Sequence, residues 1–280
     1  MLTTREIGER LAGAIQEMGS KLWLDSLEKF GTLAPLWMRR HLETEHTVPS
    51  PSGIEACRLQ QWYYAKNRDR DIPHPVVYRR QAAMGVLSEL WWLTVFEVAG
   101  FGVFTPTLSY KCGPHMRAHP DALFDEDPLS DPYSYVLELK HLTGFTYKRH
   151  LEGYGGLKIV NPSYEAQVQL YMNATETDHA LFLASPSDPK LLEDVMRQRK
   201  KYGEGYELPL VHLEWVRRDE QRVQQLLRRA ETIAEDLKSD EPPPREFTGA
   251  AFIGGRKSWP CGYCSFQPSC AREYGWGGKK

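Results

Sequence analysis

Two stretches decide how this chain is read: Arg117-Ala118-His119-Pro120-Asp121-Ala122-Leu123-Phe124 and Tyr133-Ser134-Tyr135-Val136-Leu137-Glu138-Leu139-Lys140-His141-Leu142. Both are rich in strand formers, and residues 125–132 between them carry the aspartates and prolines that favour turns. A hairpin folded about Leu129 and Ser130 sets Asp121 nearly opposite Glu138. The two-residue period of a strand then puts Glu138 and Lys140 on one face. Two carboxylates and an ammonium converge on one spot.

Adjacent carboxylates repel, and one tends to stay protonated unless a divalent cation with oxygen ligands makes the pair favourable. Magnesium or manganese is the natural occupant. Such an ion polarises a phosphodiester and lowers the pKa of bound water, while Lys140 orients that water or offsets charge building on phosphate. Glu-x-Lys alone is also a common exposed-strand pairing, so the flanking segments matter. Upstream, residues 78–99 are predicted helical, and Glu89 is an acid among Met84, Leu87, Leu90, Trp91 and Trp92. A buried acid needs a partner. Glu89 is therefore a further metal ligand or a holder of metal-bound water, or else it reaches solvent from the helix edge. Downstream, residues 162–172 read as a helix start with Ser163 as a cap, and Gln167 and Tyr171 share a face one turn apart. That pair suits holding a phosphate or the surroundings of Lys140, and equally suits the polar edge of an amphipathic helix.

The cysteines form a second constellation: Cys57, then Cys261, Cys264 and Cys270, with Cys112 left over. C-x2-C spacing favours metal ligation over disulfides, and no signal-peptide pattern is present, so a reducing, cytoplasmic setting is expected. Zinc and a 4Fe-4S cluster both take four cysteines, and spacing does not choose between them. Either would clip distant parts of the chain together.

In this order, cysteine, acidic helix, Asp, Glu-x-Lys, Gln-x3-Tyr and C-x2-C-x5-C, the motifs resemble those of a PD-(D/E)XK nuclease. More narrowly the chain is similar to RecB-type exonucleases with a cysteine cluster, the group that includes the CRISPR-associated Cas-four family and the nuclease domain of the AddB subunit. The resemblance runs from about Gly53 to Cys270. It implies a restriction-endonuclease-like α/β core, a central mixed β-sheet flanked by helices, with a cysteine-cluster subdomain. It implies Mg or Mn on Asp121 and Glu138, a catalytic Lys140, supporting Gln167 and Tyr171, and an iron-sulfur cluster on Cys57, Cys261, Cys264 and Cys270. Glu89 stands where the CRISPR-associated enzymes usually carry histidine, and His119-Pro120 precedes Asp121 where glycine and a small or basic residue are more usual; His119 is a candidate partner of the metal-binding residues. The implied activity is cutting of DNA from its ends, especially single-stranded ends, in repair, recombination, phage DNA processing or CRISPR adaptation, beside a helicase or integrase partner. A DNA-binding or adaptation partner with little activity is the alternative, and a sequence-specific endonuclease is disfavoured by the absence of an evident recognition domain.

Composition agrees with a chain able to build a large core: 280 residues, 41% hydrophobic and 26% charged. No apolar run reaches membrane length. Residues 1–52 are expected to form an N-terminal helical segment packed on a nuclease domain of residues 53–280. Helices are predicted at 4–18, 22–42 with a break at Pro35, 54–67 and 219–238, and strands at 102–107, 180–184 and 211–216. A net charge of −2 argues against indiscriminate binding to a polyanion. Locally, residues 143–150 with Tyr154 and Lys158 are basic and aromatic: a loop that grips single strands by stacking and phosphate contacts, or an ordinary solvated loop with core aromatics. Residues 197–201 read as a solvated basic helix end.

Overall fold

The computed structural model describes residues 1–17, 21, 23–28, 31–32, 49–66, 76–105, 109–127, 129, 133–151, 155–187, 197, 200–201, 211–247, 252–253, 256–257, 261 and 264–274. The Pro35 break, most of the predicted 22–42 helix, Tyr154, the centre of the 197–201 run and the ending after 274 lie outside them.

The chain is a mixed α/β fold. In chain order it forms α1 (Thr4–Gln16), α2 (Arg58–Ala65), α3 (Val76–Val98), β1 (Gly102–Phe104), β2 (Tyr110–Cys112), β3 (Met116–Ala118), β4 (Ala122–Asp125) and β5 (Tyr135–Leu142). There follow α4 (Gly144–Leu151), α5 (Leu157–Val160), α6 (Pro162–Thr175), β6 (His179–Pro186), β7 (His212–Arg217), α7 (Glu220–Lys238), β8 (Phe252–Ile253), β9 (Arg256–Lys257) and α8 (Gln267–Tyr274). The central sheet runs β1-β4-β5-β6-β7. Only β5 and β6 pair in parallel; the other neighbours are antiparallel. A parallel pair needs a crossover, and α4, α5 and α6 supply it.

Strand alternation divides the core in two. Val136, Leu142, Phe182 and Val216 face Ala166, Leu170 and Met172 of α6. Leu137, Leu139, Leu181 and Phe124 face Ile7 and Leu11 of α1 and Leu93 and Phe96 of α3. Because both faces are covered, successive residues Val136–Leu137 of β5 and Ala180–Ala184 of β6 are apolar without alternation. α1 is fixed at its start by a reciprocal cap: the Thr3 hydroxyl accepts from Glu6 N–H while Glu6 accepts from Thr3 N–H.

A third, smaller apolar cluster of Leu59, Trp62, Tyr63 and Phe266 joins α2 to α8, with Cys57, Cys264 and Cys270 packed against it. Guanidinium contacts fasten this region to α7. Arg58 makes a two-pronged contact with Asp236 at 2.6 Å, and Arg229 spans the Glu246 carboxylate, at 2.7 and 2.9 Å, and the Ile54 and Ala56 carbonyls. Charge-assisted, paired bonds of this kind fix orientation as well as contributing energy.

Three expectations are corrected. The run 117–124 is two strands: β3 pairs back with β2 in a separate ribbon, and the chain breaks at Pro120, which has no N–H to donate, before β4 enters the sheet. Residues 144–151 form a helix whose Tyr147 is fully buried, so that ring belongs to the core and is not offered for base stacking. Asn161, not Ser163, caps α6; its side chain accepts from Tyr164 N–H.

His150 ends α4 inside the core, its ring 5.4 Å from Phe182 and 5.5 Å from His212. Neither ring nitrogen has a hydrogen-bond partner among the described residues. Burial, with His212 and Arg149 nearby and only Glu214 opposing, holds its pKa down at about 4. An unfolded imidazole titrates near ~6.5, so the unfolded chain takes up this proton first. The stability due to neutral His150 is complete above that pH and is lost as pH falls toward about 4. His150→Phe is expected to flatten the fall in urea midpoint between neutral pH and the acid side of this window; an unchanged acid slope would refute the assignment.

Candidate active site

The β4–β5 register pairs Ala122 with Leu137 and Leu123 with Val136, and one rung further it brings Asp121 to Glu138. This is the register that the turn composition of residues 125–132 suggests. Beyond the last β4 rung, an Asp121 carboxylate oxygen accepts from Leu139 N–H at 2.8 Å, so the acid itself closes the ladder. Asp121 is buried and Glu138 is fully so.

Lys140, two residues along the same face, is ion-paired with Glu138 and lies 5.3 Å from the centre of the Tyr164 ring. From α6 above, Gln167 donates to the Tyr171 hydroxyl at 2.8 Å. Tyr171 lies within electrostatic reach of Asp121, Glu138 and Lys140. Glu89 of α3 is half-buried, and its charge acts on both carboxylates. All six residues singled out from sequence therefore bear on one locus. Tyr164 was missed as a site residue. The signal was present, since Tyr164, Gln167 and Tyr171 follow the three- and four-residue steps of a single helix face.

The electrostatics follow from burial. Desolvation pushes Asp121 well above the usual carboxylate range, Glu138 and Glu89 push it further, and Lys140 and the Leu139 N–H only partly oppose them. Burial likewise raises Glu138 against the pull of Lys140. For Lys140, burial would lower the pKa, but Glu138, Asp121 and Tyr171 outweigh it and hold the ammonium well above its ordinary value. Burial above all holds the Tyr171 phenol in its neutral form.

Among the described residues, no three His, Cys, Asp or Glu side chains are drawn together as a ready-made metal site. The acids here form a pair with a third in electrostatic range. Two hard oxygen donors whose mutual repulsion Lys140 and the Leu139 N–H relieve only in part fit a magnesium-like cation, which keeps several waters and is held by one or two carboxylates together with substrate phosphate.

Cys57, Cys261, Cys264 and Cys270 line one cavity with Tyr63, Arg245 and Phe266, and all five cysteines are unbridged. Burial raises the Cys264 thiol to about 11, with Cys57, Cys261 and Cys270 adding to it. Burial, Cys57 and Cys270 also raise Cys261, while Arg245 opposes them. A soft four-thiol donor set around one cavity fits zinc or an iron-sulfur cluster. Cys112 lies elsewhere, fully buried, its thiol donating to the Leu170 carbonyl at 3.4 Å.

No protein-family model matches the chain, and no curated protein matches it. Among solved structures it is similar to an alkaline exonuclease, LHK-Exo, from Laribacter hongkongensis, at 14% identity and a TM-score of 0.44, covering 68% of this chain and 87% of that one. The same exonuclease in complex with dAMP is similar at 15% identity and 0.45, with the same coverage. The protein SSO0001 is similar at 16% identity and 0.48, covering 86% of this chain and 95% of that one. No helix among the described residues is long and apolar enough to cross a membrane.

Asp121→Asn keeps an oxygen for Leu139 N–H and removes one of two repelling acids. In chelator the variant is expected to melt at or above the native temperature. Manganese at about a hundredfold excess over its dissociation constant should raise the native midpoint by roughly 5 °C and leave the variant's unchanged. An equal manganese response in both would show that Asp121 does not bind the ion.

Proposed function

We propose that the chain is a magnesium- or manganese-dependent DNA exonuclease of the PD-(D/E)XK superfamily, acting on single-stranded ends in a reducing, cytoplasmic compartment. The observation that carries this reading is the buried Asp121–Glu138 pair with the Lys140 ammonium beside it. A divalent cation held by these two acids supplies Lewis-acid charge to the scissile phosphate.

The chain's own groups supply the rest. Lys140, positioned between Glu138 and the Tyr164 ring, orients the attacking water and offsets charge building on the phosphate oxygens. Gln167 and Tyr171 offer polar contacts from α6 without adding charge. Glu89 acts from the opposite helix layer, as a further ligand or through water. The four cysteines hold a 4Fe-4S cluster, with zinc as the other occupant their chemistry allows, in a structural role. The motif order of the PD-(D/E)XK resemblance supports this assignment, and it makes repair, recombination, phage DNA processing and CRISPR adaptation, with a helicase or integrase partner, the settings to test.

Two measurements test the reading. End-labelled linear and circular single-stranded DNA are incubated with Mn or Mg, against chelator and Lys140→Ala. Loss of the linear substrate alone is expected, falling about 100-fold or more in the variant. Cleaved circles would indicate an endonuclease, and DNA bound but uncut would indicate a binding partner. Separately, anaerobically purified protein is expected to contain iron and sulfide that Cys261→Ser loses; stoichiometric zinc without iron would replace the cluster by a zinc site.

A further inference from the structure

The β2–β3 ribbon packs its inner face, Cys112, Met116 and Ala118, on α6, and alternation turns Lys111 and Arg117 outward, both exposed. The register sets these two cations directly opposite each other. Like charges in that relation destabilise a strand pair, and neither has a carboxylate partner among the described residues. Arg117 instead donates to the neutral Ser109 hydroxyl at 3.1 Å. Residues 98–120 contain no aspartate or glutamate, although the whole chain has 37 acids against 35 lysines and arginines. Within that acid-free stretch His115 is a further exposed basic residue, at the ribbon's turn. Two apposed, uncompensated cations become favourable when an anion lies across both.

In sequence the ribbon directly precedes the candidate active site. Arg117 is four residues before Asp121, a span of at most about 14 Å, and Lys111 lies one strand beyond it. At about 3.4 Å per stacked nucleotide, Arg117 is therefore at most roughly four nucleotides from Asp121.

We propose that the outer face of the β2–β3 ribbon binds the phosphodiester backbone of a nucleic-acid strand whose end lies at Asp121 and Glu138. Lys111 and Arg117 each take a phosphate, which fixes the strand's direction of approach without reading its bases. The inference rests on the nuclease reading above and adds to it a path for the strand.

The test uses the full chain carrying Lys140→Ala, with a fluorescent 30-nucleotide single strand and anisotropy read over a range of salt. Adding Lys111→Gln and Arg117→Gln is expected to weaken binding about tenfold near physiological salt and to lower the salt slope by about 1.4, two phosphate contacts at ~0.7 each. The charge-preserving exchange Lys111→Arg with Arg117→Lys is expected to keep both values. Arg5→Gln, on the helix that covers the other sheet face, is expected to do the same. Unaltered affinity and slope in the double glutamine variant would overturn the proposal. So would displacement of the DNA by a polyglutamate peptide that binds more tightly, which would assign the ribbon to an acidic protein partner. Cleavage of the oligonucleotide by Lys140→Ala itself would instead count against the nuclease reading, leaving the binding result to stand separately.

Discussion

One constraint organises the molecule: the hairpin register that carries two acids to the same rung inside the sheet. Asp121 and Glu138 occupy space that apolar packing would otherwise fill, on a face built from Val136, Leu142, Phe182 and α6. Burying an uncompensated carboxylate costs several kcal/mol, so the surroundings are arranged around that cost. Lys140 supplies an adjacent opposite charge, a backbone N–H is directed at Asp121, and α6 presents an amide and a phenol that add none.

Much of this was legible in the sequence because it is local. The register follows from turn residues at a known centre and a period of two. Helices α3 and α7 lie with their ends within about two residues of the expected 78–99 and 219–238, and α6 starts at Pro162 as expected, continuing to Thr175 beyond the stretch read as its start. What was not legible depends on distant partners. The ribbon strands β2 and β3 are three residues each, too short to show a period. Residues 144–151 carry threonine and aromatics that favour strands, yet they fold as a helix because a parallel β5–β6 pair requires a crossover there. Tyr164 is unremarkable until α6 is laid over Lys140. The convergence of four thiols on one cavity depends on residues 245–270 returning to Cys57, which spacing suggests but does not dictate.

The two candidate sites differ in chemistry and are joined mechanically. Hard oxygen donors lie inside the sheet face, whereas soft thiols lie at the edge of a small aromatic cluster. Arg222 of α7 links them, pairing with Glu165 of α6 at 3.0 Å and with Glu55, two residues before Cys57, at 2.6 Å. Burial of this arginine is outweighed by its two carboxylates, which raise its pKa. α7 is thus a strut between the helix that covers Lys140 and the segment that presents the first thiol.

The guanidinium contacts from α7 to residues 54–58 also bear on how the protein is made. The Arg58 guanidinium finds Asp236, its backbone N–H finds the Glu246 carboxylate, and the Ile54 and Ala56 carbonyls find Arg229, only after some 170 to 190 further residues have left the ribosome. At 5–20 residues per second that is a wait of roughly 10 to 40 s. During it, Trp62 and Tyr63 have neither α7 nor Phe266 to cover them. Closure of this part is therefore a late event of synthesis, and the emerging N-terminal third is the portion a chaperone has most reason to shield.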